Sequence, residues 1–88
     1  MNFSKALEEV KQGNRVQREG WNGKGMFVFL VQGSVFKVNR EPLLSMLGEG
    51  TEVKYHAHID MKTADGMIVP WLASQTDILA DDWQVVDR

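Results

Sequence analysis

The chain has 88 residues, 10 Lys and Arg against 12 Asp and Glu for a net charge of −2, and no cysteine. That length predicts one domain over 1–88, the charge argues against a general DNA or RNA binder, which carries a basic excess, and the missing thiols remove disulfides and thiolate metal sites. No charged leader opens the sequence, and its longest apolar run, Met26 to Val31, is far short of the ~20 residues of a membrane helix, so neither signal peptide nor membrane span is expected.

Phe3, Ala6, Leu7 and Val10 recur at helical spacing and predict a helix over about 3–12. Asn2 or Ser4 is placed to cap it and Gly13 to close it. Arg15 to Arg18 reads as a short strand, and the glycine-rich segment 20–25 as a loop. Met26 to Val31 is apolar on both faces, where a half-exposed strand would alternate. One face suits the N-terminal helix; the other needs a second cover, for which a partner subunit is the candidate. Gln32-Gly33-Ser34 predicts a turn, with Val35 to Val38 returning as a hairpin strand. Pro42 fits the first turn of a short helix ended by Gly48 and Gly50.

Val53 to Thr63 alternates as one long strand. Val53, Tyr55, Ala57, Ile59 and Met61 share one face; Lys54, His56, His58, Asp60 and Lys62 share the other. Asp65-Gly66 is a hairpin signal, with Met67 to Val69 as the return strand stopped by Pro70. Ser74 is a helix cap for a segment through Leu79, and Asp77 completes a near capping box. Trp83 to Val86 closes as the last strand. The expected class is α+β: an antiparallel β-sheet with an N-terminal helix and two short helical segments.

Two tryptophans lie in stretches too polar and glycine-rich for ordinary core. Around Trp21, glycines let the backbone approach a ligand. Asn22 offers an amide for a base edge, Gly23 a close backbone and Lys24 a point charge for phosphate. The alternative is a tight turn with Trp21 folded over the sheet. No Walker loop is present, since Gly23-Lys24-Gly25 lacks the glycine-rich lead and the following Ser or Thr. The second segment sets Trp71 beside Ser74, Gln75, Thr76 and Asp77, a helix start that favours phosphate oxygens with an acid to accept from a ribose hydroxyl. Its alternative is a capped helix with Trp71 in the core. Trp83, in an ordinary alternating strand, reads as core.

Arg18, three residues before Trp21, shares a face with Val16 and reaches from core edge toward a pocket. His56, His58 and Asp60 fall on one strand face about 6.5–7 Å apart, so adjacent pairs have chelating spacing; a polar strand face without metal is the expectation. Asp81-Asp82 reads as surface charge. No nucleophile is visibly paired with a base, so a small-molecule binder precedes an enzyme. A nucleotide-sized pocket of about 300 Å³ would consume much of a core this small and is more cheaply built between subunits.

Gly20-Trp21-Asn22-Gly23-Lys24-Gly25-Met26, then Asp60 to Gly66, then Val69-Pro70-Trp71-Leu72-Ala73-Ser74-Gln75-Thr76-Asp77, in that order, resemble the phage Thoeris anti-defence sponge proteins of the second type. The similarity runs from the first helix to the last strand. It implies a non-catalytic protein, without cofactor, acting in the cytoplasm of the infected bacterium. Such a protein sequesters glycocyclic ADP-ribose, the signal that switches on the Thoeris effector; some relatives take cyclic dinucleotides. It also implies a homotetramer with pockets where subunits meet. The ligand-binding residues expected on chemical grounds are Arg18, Trp21, Asn22, Gly23, Lys24, Thr63, Trp71, Ser74, Gln75 and Asp77. The competing readings are a phosphodiesterase or glycohydrolase acting on the same nucleotide, a cyclic-dinucleotide sponge, and a protein-binding module with the tryptophans as anchors.

Overall fold

The computed structural model describes residues 1–21 and 24–86. Helix α1 (Phe3–Lys11) is capped by Asn2, whose side-chain oxygen accepts the Lys5 N–H at 3.0 Å. It ends where Gly13 takes φ +93°, the left-handed conformation that glycine adopts without a Cβ penalty. Strands β1 (Val16–Arg18), β2 (Phe27–Val31), β5 (His58–Lys62), β6 (Ile68–Pro70) and β7 (Trp83–Val85) form one antiparallel sheet in the order β6-β5-β2-β1-β7. Strands β3 (Ser34–Lys37) and β4 (Glu52–Tyr55) form a second, two-stranded sheet. Helices α2 (Leu43–Leu47) and α3 (Gln75–Leu79) are single short turns, so the α+β class holds as read.

Two strand expectations change. β3 does not fold back on β2 as a hairpin, and 53–63 is not one strand of one sheet. β2 pairs with β5 from Phe27↔Lys62 to Val31↔His58, and β3 pairs with β4 from Ser34↔Tyr55 to Lys37↔Glu52. The register is the same in both, so the four segments are one long antiparallel ribbon, bent at Gln32-Gly33 and His56-Ala57. The bend is tight: a Cβ on Gly33 would stand 2.7 Å from the Tyr55 carbonyl oxygen. Gly33 therefore marks a close approach of two backbones, and α2 lies in the connection at the far end of the ribbon. β6 ends at Pro70, as the sequence predicts, and Pro70 itself still pairs with Asp60 on the edge of the sheet, where a missing N–H is tolerated.

Cross-strand partners share a face. Val16 opposes Val28 and Val85, and Arg18 opposes Trp83. α1 covers this face, and Ala6, Val10, Val16, Val28 and Trp83 are buried in one cluster with Phe3, Trp21, Leu30, Ile59, Met61 and Trp71 packed around it. The other face carries Phe27 and Phe29, 5.8 Å apart, with Asp60 and Lys62 opposite them on β5. The expected polar row on β5 is thus real, and it flanks an apolar row on β2. The Arg15 guanidinium stands 4.9 Å over the Phe27 ring. Val38 is buried apart from the main cluster, in the lobe of β3, α2 and β4.

A tryptophan cluster with an ionic support

Trp83 is 1% exposed, the core tryptophan that its alternating strand predicts, and it is the hub of an aromatic cluster. Trp21 meets it edge-on at 5.2 Å and 79°, and Trp71 meets it edge-on at 6.0 Å and 80°. Edge-to-face geometry is what the ring quadrupole favours. Phe3 of α1 touches Trp83 at 5.4 Å and Trp71 at 6.1 Å. The two tryptophans singled out in the sequence, 50 positions apart, are therefore brought to one place, flanking a third. Both are half-buried, so each combines a packing contact with an accessible part.

Polar atoms hold the cluster. The Trp83 indole N–H donates to the Asp77 carbonyl at 2.9 Å, and the Trp21 indole N–H donates to Asp77 Oδ1 at 3.1 Å. Ser74 caps α3, its Oγ accepting the Asp77 N–H at 3.1 Å. That leaves the Asp77 carboxylate directed at Arg18, whose Nη1 donates to Oδ1 at 2.8 Å. Arg18 Nε donates to Asp82 Oδ1 at 2.8 Å, and the Gly20 N–H donates to Asp82 Oδ2 at 2.8 Å. Burial pushes the Asp77 carboxyl up, but the bonds from Arg18, Trp21 and Ser74 outweigh it and hold it below its ordinary value. Asp82 is held low by the Arg18 hydrogen bond, opposed by desolvation and helped by the Gly20 N–H. Arg18 is raised by Asp82 and then by Asp77.

The remaining expected site residues are dispersed around this cluster. Lys24 is exposed, and Ser74 and Gln75 are exposed at the start of α3. Thr63 sits at the β5–β6 turn, where its hydroxyl bonds Asp65 and accepts the Met67 N–H at 3.1 Å. Its neighbour Lys62 donates to the Gly25 carbonyl at 3.1 Å, tying the Trp21 loop at its far end. Asn22 and Gly23 lie outside the described residues. On β5, His58 Nε2 is 3.5 Å from Asp60 Oδ2 and its Nδ1 is 3.0 Å from the His56 carbonyl. Among the described residues no group of three or more His, Asp and Glu is arranged to hold a metal.

Three features were not read from the sequence. Asp82, expected as surface charge, turns inward to Arg18 and Gly20; its partners lie 64 and 62 residues away, so no local pattern marks it. Phe3 joins the tryptophans from α1. A cleft of about 340 Å³ opens in the outer lobe between Phe36, Asn39, Arg40, Glu41, Pro42, Leu43 and Tyr55, with Phe36 and Tyr55 stacked at 5.3 Å.

The family model for the Thoeris anti-defense 2-like domain matches residues 1–86. The chain is similar to Thoeris anti-defense 2 of Bacillus phage SP01, at 44% identity over 98% of this chain and 94% of that protein. This chain belongs to the Thoeris anti-defense 2 family and has an anti-Thoeris role.

Proposed function

We propose that this member of the Thoeris anti-defense 2 family is a non-catalytic sponge for a cyclic ADP-ribose-type signal, glycocyclic ADP-ribose first and cyclic dinucleotides as an alternative ligand class. The observation that carries the reading is the convergence of Trp21 and Trp71 on Trp83. Two half-buried indoles on one scaffold provide the apolar platform on which a nucleobase stacks, and stacking is worth about 1–3 kcal/mol per base. The polar groups proposed to meet the nucleotide are Lys24 for phosphate charge, Ser74 and Gln75 on the Trp71 segment and Thr63 at the β5–β6 turn for base edges and hydroxyls, and, from the sequence alone, Asn22 and Gly23 beside Trp21. Arg18 and Asp77 belong to the site as its support. Capture works by mass action: a protein that releases its ligand slowly holds the free signal below the level the effector needs.

The pocket is completed in a homotetramer. α1 covers one face of the main sheet, and the other presents Phe27 and Phe29, half-buried, with no α2 or α3 packed on β2 or β5 among the described residues. Leu72 and Leu79, beside the tryptophan cluster in sequence, are 91% and 77% exposed, which fits a rim that a second copy covers. No described helix is long and apolar enough to cross a membrane, and the site of action is the cytoplasm of the infected cell.

The test is capture and release. The protein is incubated with glycocyclic ADP-ribose, separated from free ligand, heat-denatured, and the supernatant is analysed by mass spectrometry. Intact nucleotide is the expected result. A hydrolysed product makes the protein an enzyme, and an empty supernatant leaves the tryptophans as anchors for a protein partner.

A further inference from the structure

We propose that Arg18 is a positioning residue that fixes the Trp21 indole through two carboxylates, and that it is not a phosphate ligand. This rests on the sponge reading for its consequence in binding, while its geometry stands on the chain alone. All three guanidinium nitrogens are engaged: Nη1 with Asp77 at 2.8 Å, Nε with Asp82 at 2.8 Å and Nη2 with Asp82 at 3.4 Å. The side chain is 16% exposed. Each carboxylate then hands the constraint to the Trp21 segment. Asp77 Oδ1 accepts the Trp21 indole N–H, and Asp82 Oδ2 accepts the Gly20 N–H. The Arg18 carbonyl itself accepts the Trp21 backbone N–H at 3.2 Å. Trp21 is therefore tied by its ring nitrogen, its own amide and its neighbour's amide, and all three ties lead to Arg18.

The charge count agrees. One guanidinium between two carboxylates leaves a local excess of one negative charge, which repels a phosphate. A planar fork with donors at fixed angles can span two carboxylates at once; an ammonium is a point charge and cannot reproduce both bonds. Gly20 belongs to the same arrangement, since a Cβ there would stand 2.8 Å from Asp82 Oδ2 and 3.4 Å from Arg18 Nη2. Supporting groups of this kind set the orientation of a site residue without touching the ligand.

The experiment compares Arg18→Lys, Arg18→Gln and Asp82→Asn with the parent. Indole N–H resonances are followed by nuclear magnetic resonance, Trp21 being assigned with Trp21→Phe. Affinity for glycocyclic ADP-ribose is measured by calorimetry at two salt concentrations. In Arg18→Lys and Arg18→Gln alike, the Trp21 indole resonance moves and exchanges faster with water while that of Trp71 holds. Affinity falls by about tenfold, the lower end of what losing a supporting partner costs at a metal site, and its salt dependence stays that of the parent. Asp82→Asn, which keeps the Arg18–Asp77 pair, gives the same changes at smaller size and serves should either Arg18 variant fail to fold. Rescue of affinity by Arg18→Lys, or a flattened salt dependence in Arg18→Gln with the Trp21 resonance unmoved, overturns the proposal and makes Arg18 a phosphate ligand. A parent that captures no nucleotide sinks the sponge reading; the resonances of Trp21 then decide the positioning role alone.

Discussion

The three tryptophans differ in their surroundings although Trp21 and Trp71 both meet Trp83. Trp83 is fully enclosed and its N–H is satisfied by a backbone carbonyl, so Trp83→Ala loses packing and one of the two bonds to the Asp77 carbonyl, which keeps the Ala80 N–H at 3.3 Å. The expected cost is about 3–5 kcal/mol, read as a lower urea midpoint, and a midpoint equal to the parent's would remove Trp83 from the centre of the core. The polar surroundings of Trp21 and Trp71 argue against ordinary core, yet both pack against the core cluster, whereas Trp83 is the core residue that its alternation predicts. What no local pattern contains is that the three meet. Trp21→Phe and Trp71→Phe keep most of the packing and isolate the binding role: each should weaken capture of glycocyclic ADP-ribose, and calorimetry on variants with parental thermal transitions is the measurement. The ionic support has its own signature. Asp77 and Asp82 are both held below their ordinary value of 3.8. A depressed carboxyl contributes stability that is complete above the unfolded value and is lost as pH falls through the lower folded one. Acid unfolding of the parent should therefore steepen below about pH 4, and Asp82→Asn should lose part of that steepness; superimposable acid profiles would show that the pairing contributes nothing to folding.

At the scale of elements, α1 and α3 follow their signals closely because capping is local: Asn2 and Ser74 accept the amides that their spacing predicts. The ribbon was harder to read. Residues 53–63 alternate without interruption, and alternation encodes which side a residue faces, not which sheet it joins. Gln-Gly-Ser looked like a hairpin turn because glycine commonly serves turns. Here its missing side chain admits the Tyr55 carbonyl, and the chain passes through the bend into β3 instead of reversing. Gly33→Ala tests this. A methyl group 2.7 Å from a backbone oxygen forces the two strands apart, at about 1–3 kcal/mol for an overpacked contact. Denaturant unfolding should show that loss, and the β3–β4 amides should exchange faster than in the parent. An unchanged variant would mean that the bend has room to spare.

For the whole molecule, charge and size set the terms. The run from Met26 to Val31 is two-faced in sequence, and in the fold Val28 and Leu30 enter the core while Phe27 and Phe29 occupy the opposite face. If a second copy covers that face, Phe29→Lys should reduce the assembled mass measured by light scattering; a parent that is monomeric at micromolar concentration would reject both the tetramer and the shared pocket. The proposed ligand poses the sharper problem, because the pyrophosphate of a cyclic ADP-ribose-type signal brings negative charge to a protein whose own net charge is −2. Arg18 is committed to Asp77 and Asp82, and Lys62 holds the Gly25 carbonyl. Under the sponge reading, Lys24, exposed just before β2, is the cation proposed to meet phosphate. An exposed charge pair is screened as ionic strength rises, so Lys24→Ala should weaken capture of glycocyclic ADP-ribose and flatten its salt dependence, while Arg18→Lys weakens capture and leaves that dependence alone. Titration at two salt concentrations separates the two. Equal slopes for the parent and Lys24→Ala would take Lys24 out of the site and pass the phosphate role to the exposed amides at the start of α3.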